Sequence, residues 1–264
     1  MPIPAPATAL TDTFLRTVDD QAPGLVDALY LVGSVALGDF HDGASDVDFV
    51  AVLSRHAGTA DLAALSAAHA AVGREYPGIA FEGTHLSWDD VAAGADCPDA
   101  PAMSPDGFQE ATRFALNPVT FAELATAGLA VRGPEPGAVD IGGAGPDPVR
   151  AYTLDNLTTY WRSLHARFAA AGEDVPAGTV EWAACWAVLG VSRLHKVLSV
   201  GGLSTKCVGG GHALAAFDPR WHALVVDALG IRAGHPSRYG PPDVLRRDTL
   251  DFLDMAIESG LALA

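Results

Sequence analysis

The segment RGPEPGAVDIGGAGPDP, residues 132–148, constrains the fold most, because neither a helix nor a strand survives glycine and proline at that density. It divides the chain in two. Before it, short apolar runs alternate with one alanine-rich helical stretch; after it, nearly everything carries helical spacing. A length of 264 residues with 49% hydrophobic content suits two modest cores better than one. The expected fold class is therefore α+β: an N-terminal domain over 1–145, ordered from about 10 to 130, with a small mixed sheet flanked by helices, then an all-helical C-terminal domain over 146–264.

Residues 1–9 read as a loose Pro/Ala tail, with Thr11 capping a helix to about residue 20. Ala28–Val32 and Phe49–Leu53 are strand candidates, and GTADLAALSAAHAAVGREY has helical spacing. GIAFEGTHLSW returns to an extended pattern, with Phe81 and Gly83 on one parity and Glu82 and Thr84 on the other. Asp89 to about Met103 reads as a surface loop, and NPVTFAELATAG as a helix with proline at its start and glycine at its stop. Helices are expected at 149–171, 178–199, 206–215, 219–230 and 242–261.

Between the first two strand candidates the apolar run breaks at Gly33-Ser34 and returns as Asp46-Val47-Asp48. Gly33 permits a close approach barred to larger residues, and Ser34 brings a hydroxyl and a main-chain amide to a turn that can hold a phosphate. On an extended chain Asp46 and Asp48 point the same way, so both carboxylates can reach one Mg2+ while Val47 and Phe49 pack behind them. The plain alternative is a hairpin with solvated acids. Ser45 either orients the approach to Asp46 or simply forms the turn. Glu82, an acid within an apolar strand, needs solvent, a metal or a proton-transfer partner. It suits a general base that deprotonates an attacking hydroxyl; a solvated edge-strand glutamate is the alternative.

In the helical half, Trp182 and Trp186 lie four apart and offer an aromatic wall beside Glu181, with core packing as the plain reading. Arg193 and Lys196 share a helical face and either serve the nucleotide side or form structural ion pairs. Lys206 follows the Gly201-Gly202 turn. His41 and His85 fall near the candidate site, while the other seven histidines show no metal-ligand spacing.

Sixteen basic against 32 acidic residues give a net charge of -16, which repels a nucleic-acid backbone and favours Mg2+ or a cationic small molecule. No basic stripe or Walker phosphate loop is present. Cys97, Cys185 and Cys207 are too scattered for a disulfide scaffold or zinc motif, so free thiols and a cytoplasmic setting are expected. Residues 183–200 come nearest to a membrane span but contain Arg193, His195 and Lys196, and no membrane association is expected.

Gly33-Ser34 followed by Asp46-Val47-Asp48 resembles the signature of the nucleotidyltransferase superfamily, whose fold is that of DNA polymerase beta. More narrowly the chain is similar to the streptomycin/spectinomycin-type aminoglycoside adenylyltransferases, through FEGTHLSWDD, NPVTFAELATAGLAVRGP and SRLHKVLSVGGLSTKCVGGGHAL, over about residues 25–230. That resemblance implies ATP and Mg2+ as cofactors, metal binding by Asp46 and Asp48, and nucleotide binding by Gly33, Ser34, Arg193 and Lys206. Glu82 matches the catalytic carboxylate, and Glu181, Trp182 and Trp186 approximately match the acidic and aromatic substrate contacts. His195-Lys196 stand where those enzymes carry an aromatic pair. The implied reaction moves AMP from ATP to a hydroxyl of a small cationic acceptor, an aminoglycoside such as streptomycin or spectinomycin, in an interdomain cleft, with pyrophosphate released. A monomer conferring antibiotic resistance is the expectation. Transfer to another metabolite or a protein side chain, or nucleotide binding without catalysis, are the alternatives.

Overall fold

Apolar runs in the central strands, buried on both faces, build the N-terminal unit. The computed structural model describes residues 2–171 and 175–264, and divides into Met1–Val149 and Arg150–Ala264. Among the described residues the strands β1 (Val26–Leu31), β2 (Val47–Leu53), β3 (Phe81–Ser87), β4 (Ala100–Ser104), β5 (Gly107–Thr112) and β6 (Leu129–Arg132) form one sheet ordered β5-β4-β3-β2-β1-β6. Only β2 and β3 run parallel; the other neighbours are antiparallel, so the sheet is mixed.

Odd-numbered residues of the central strands, Leu29, Leu31, Val47, Phe49 and Ala51, face one layer. That layer is α1 (Ala5–Gln21) and α3 (Thr59–Glu75), packed through Phe14, Leu65 and Val72. Even-numbered Ala28, Tyr30, Val50, Val52 and Leu86 face the other, where Val91 of α4 (Trp88–Ala93) and Phe121 and Leu124 of α5 (Pro118–Ala127) cover them. Between β1 and β2 lies a single helical turn, α2 (Gly33–Ala36).

Several sequence expectations need correction. The first helix starts at Ala5, so most of the expected tail is ordered: Pro4 and Pro6 suit a helix start, and Ala7 and Leu10 are buried. Thr11 is no cap; its hydroxyl donates back to the Ala7 carbonyl at 3.1 Å from inside the helix. The expected loop at Asp89–Met103 contains α4, a 3-10 turn at Gly94–Asp96 and β4. The glycine- and proline-rich segment is pinned to the first unit, where Gly142 N–H donates to the Val91 carbonyl at 3.0 Å and a Cβ on Gly94 would meet the Gly142 carbonyl.

The second unit is all helical, as expected. Its elements are α6 (Pro146–Asn156), α7 (Arg162–Ala170), α8 (Ala177–Val200), α9 (Lys206–Ala216), α10 (His222–Arg232) and α11 (Pro242–Leu261), with a π-helical turn at Leu157–Trp161. The division between units falls within α6. Helix α8 is long and apolar enough to cross a membrane, but 56% of its apolar window is buried, against α9, α10 and α11. Gly209 lets α9 cross α8 closely, since a Cβ there would stand 2.6 Å from the Arg193 nitrogen.

Candidate active site

Asp48 and Glu82 are partners in the parallel β2–β3 register and have the same parity as Val50, Val52 and Leu86. Their carboxylates therefore sit side by side at the opening end of a mostly apolar sheet face, on which Thr84 is also buried. Val47 and Phe49, fully buried, face the other way, as the alternation requires. Asp46 precedes the strand and is exposed. Burial and then the negative charge of Asp46 push the Glu82 carboxyl up to about 7.

Gly33 opens the α2 turn with φ +60°, a left-handed conformation that glycine adopts without cost. A Cβ at this position would lie 2.1 Å from Asp48 Oδ2. The turn is tied to β2 by Val32 N–H, which donates to the Asp48 carbonyl at 3.0 Å, and by the Ser34 hydroxyl, which points to the Asp46 carbonyl at 3.4 Å. Ser45 closes the intervening loop by accepting from His41 N–H at 3.0 Å. Gly33, Ser34, Asp46, Asp48 and Glu82 are thus brought together.

Glu123 was missed as a site residue. Its Oε2 accepts the Gly33 N–H at 3.1 Å, so this amide is engaged within the protein and does not face outward. The signal was an acid embedded in the apolar helix FAELA.

The two histidines near the site differ. His41 Nε2 pairs with Asp39 Oδ1 at 3.1 Å. His85 has odd parity and lies on the opposite face of the sheet from Glu82, between Phe14, Phe49 and Phe108. Its Nδ1–H donates to the Pro101 carbonyl at 3.1 Å, so its Nε2 accepts from His69 Nε2–H at 3.2 Å. Burial holds it near 4, a neutral core residue.

Arg193, Lys206, Glu181, Trp182 and Trp186 all belong to the helical unit. The Trp182 and Trp186 rings stack with centroids 5.8 Å apart, and Trp182 is 61% exposed. The Trp186 indole donates to the Tyr160 hydroxyl at 3.0 Å, while Lys206 Nζ lies 4.0 Å from the Trp186 ring centroid. Glu181 is half-buried one residue before Trp182, and Arg193 is half-buried at the α8–α9 crossing. Lys196 Nζ donates to the carbonyls of Gly201 and Leu203 at 2.8 and 3.1 Å, closing the end of α8. His195 is also structural, bonded to His212 at 2.9 Å and Ser259 at 3.1 Å and held near 4 by burial first and His212 second.

Residues 12–76 match the family described as the nucleotidyltransferase domain, a span that runs from α1 through Asp46 and Asp48 to the end of α3 and stops short of Glu82. The N-terminal unit thus carries a nucleotidyltransferase domain. Among solved structures, the chain is similar to the spectinomycin adenyltransferase AAD(9) from Enterococcus faecialis, solved with ATP and spectinomycin. The identity is 12%, the match covers 95% of this chain and 98% of that one, and the TM-score is 0.68, a likeness of fold. No curated protein matches the chain.

Proposed function

We propose that the protein is an adenylyltransferase that moves AMP from ATP to a hydroxyl of a small cationic acceptor, an aminoglycoside such as spectinomycin or streptomycin, and releases pyrophosphate. The observation that carries this reading is the Asp48–Glu82 pair beside Asp46, with the Gly33 turn against Asp48. Fold likeness to a spectinomycin adenyltransferase supports it.

The donor set fits a hard divalent ion: two aspartates two residues apart, a third carboxylate whose proton affinity burial and then the Asp46 charge have raised, and a glycine that leaves room against Asp48. Asp46 and Asp48 would hold Mg2+, which when bound neutralises charge on the phosphates. Ser34 orients the triphosphate on the turn that Gly33 opens, and Lys206 and Arg193 are assigned to the nucleotide. Glu82, with a proton affinity close to neutral, accepts the proton of the acceptor hydroxyl as that oxygen attacks the α-phosphorus and pyrophosphate leaves. Positioning of hydroxyl and phosphorus in line supplies much of the remaining rate. Glu181, Trp182 and Trp186 contact the acceptor. The same reading has the protein acting as a cytoplasmic monomer on a small molecule and conferring resistance to it.

A second reading draws on the helical unit: the Lys206 ammonium over Trp186 would repel a polycation there, which favours a less charged metabolite as acceptor for the same transfer. Incubation with ATP, Mg2+ and a panel of aminoglycosides tests both. AMP-modified drug supports the first; pyrophosphate release only with other hydroxyl compounds selects the second.

A further inference from the structure

Glu123 lies in the apolar layer over the sheet, between Phe121 and Leu124, and is 8% exposed. A carboxyl group is costly there unless it is engaged, and beside a turn that receives a triphosphate it does nothing to attract the ligand. Packing alone would favour an apolar residue. What Glu123 supplies is an acceptor for the Gly33 N–H, at 3.1 Å.

The Val32-Gly33 main chain is held from two sides. Val32 N–H donates to the Asp48 carbonyl on β2, and the next amide, Gly33 N–H, donates to Glu123 on α5. Between these bonds the Gly33 Cα is pressed so near the Asp48 carboxylate that no Cβ fits. A shift of the turn by a few tenths of an ångström is therefore passed directly to Asp48.

We propose that Glu123 is a positioning residue which, through the Gly33 amide, sets where the Asp48 carboxylate stands for divalent-cation binding; this rests on the nucleotidyl-transfer reading. The full-length protein tests it with E123Q, which keeps an acceptor oxygen without charge, E123M, which keeps the volume without an acceptor, and D48N as reference. Two quantities are read: the Mg2+ concentration giving half-maximal ATP binding by calorimetry, and the hydrogen-exchange rate of the Gly33 amide. E123M should raise the Mg2+ requirement about tenfold, the size expected for leaving one buried amide without its acceptor, and speed Gly33 exchange. E123Q should stay within about twofold of wild type on both, since its carbonyl can still accept the amide. E123A is read the same way if E123M does not fold. Wild-type values in E123M or E123A, or equal losses in E123Q and E123M, would overturn the proposal. Mg2+ dependence that survives in D48N would overturn the metal assignment itself, and this proposal with it; Mg2+ dependence lost in D48N but unchanged in E123M would overturn the proposal alone.

Discussion

Asp48 Oδ2 stands 2.1 Å from the point a Cβ on residue 33 would occupy, so the Asp48 carboxylate and the start of the Gly33–Ala36 turn share one space that only glycine leaves open. The φ of +60° at Gly33 adds a left-handed strain of about 1–2 kcal/mol for any other residue. G33A should therefore lose about 100-fold or more in AMP transfer, while urea unfolding shows a loss of only about 1–3 kcal/mol. An activity loss no larger than twofold would mean that Asp48 has room to move aside.

Gly83 offers a contrast within the same sheet. A Cβ there would meet the Phe49 carbonyl oxygen, a main-chain atom, at 2.0 Å, and the central β2–β3 pairing cannot yield without breaking its ladder. G83A should cost about 3 kcal/mol or more of unfolding free energy, measured by denaturant titration. A stability within 1 kcal/mol of wild type would contradict the close strand approach.

Glu82 should give a pH signature in both stability and activity. Its folded-state affinity is raised to about 7 from a reference of 4.5, by burial first and Asp46 second. The folded state thus binds a proton the unfolded chain has released, so this group's contribution is fully present below about 4.5 and is lost as pH rises towards 7. E82Q should remove that slope between those values, as seen in melting temperature against pH. The proposed base works deprotonated, so transfer should rise with pH through the Glu82 titration. D46N, which removes the neighbouring charge, should lower the acid limb of ATP-free Glu82 titration followed by carboxylate NMR. E82Q itself should reduce turnover about 100-fold or more with ATP binding retained.

In the helical unit, Lys206 is the cation assigned to the nucleotide and rests over Trp186 at 4.0 Å. K206A should weaken ATP binding about tenfold by calorimetry and leave the melting temperature within a few degrees. Unchanged ATP affinity would return Lys206 to a purely local role against the indole.

The parts of the fold that read well from sequence are those where one periodicity decides the outcome. Strands β1, β2 and β3 stand out as apolar runs, and parity within each run separates Asp48 from Phe49 and Glu82 from Phe81, but it took the β2–β3 register to bring Asp48 and Glu82 together on one face. Helix α8 was expected at 178–199 and runs Ala177–Val200, because its apolar spacing is long and glycine ends it. The short strands β4, β5 and β6 carry no such signal: APAMS, GFQEAT and LAVR gain their conformation from pairing with neighbours distant in sequence. Thr11 shows the same limit, since a hydroxyl that suits a cap serves equally well bonding back to a carbonyl inside a helix. Glu123 reaches the site only through the packing of α5 on the sheet, a tertiary relationship for which an acid among apolar neighbours was the sole clue.

The central claim is transfer of AMP by Asp46, Asp48 and Glu82, and its most direct measurement follows ATP labelled at the α-phosphorus, with Mg2+ and spectinomycin or streptomycin as acceptor. Label on the drug, matched by an equal amount of pyrophosphate and lost in D46N, D48N and E82Q, is the expected result. Label that stays with unmodified nucleotide across the whole acceptor panel, or transfer that persists undiminished in D48N, would contradict it.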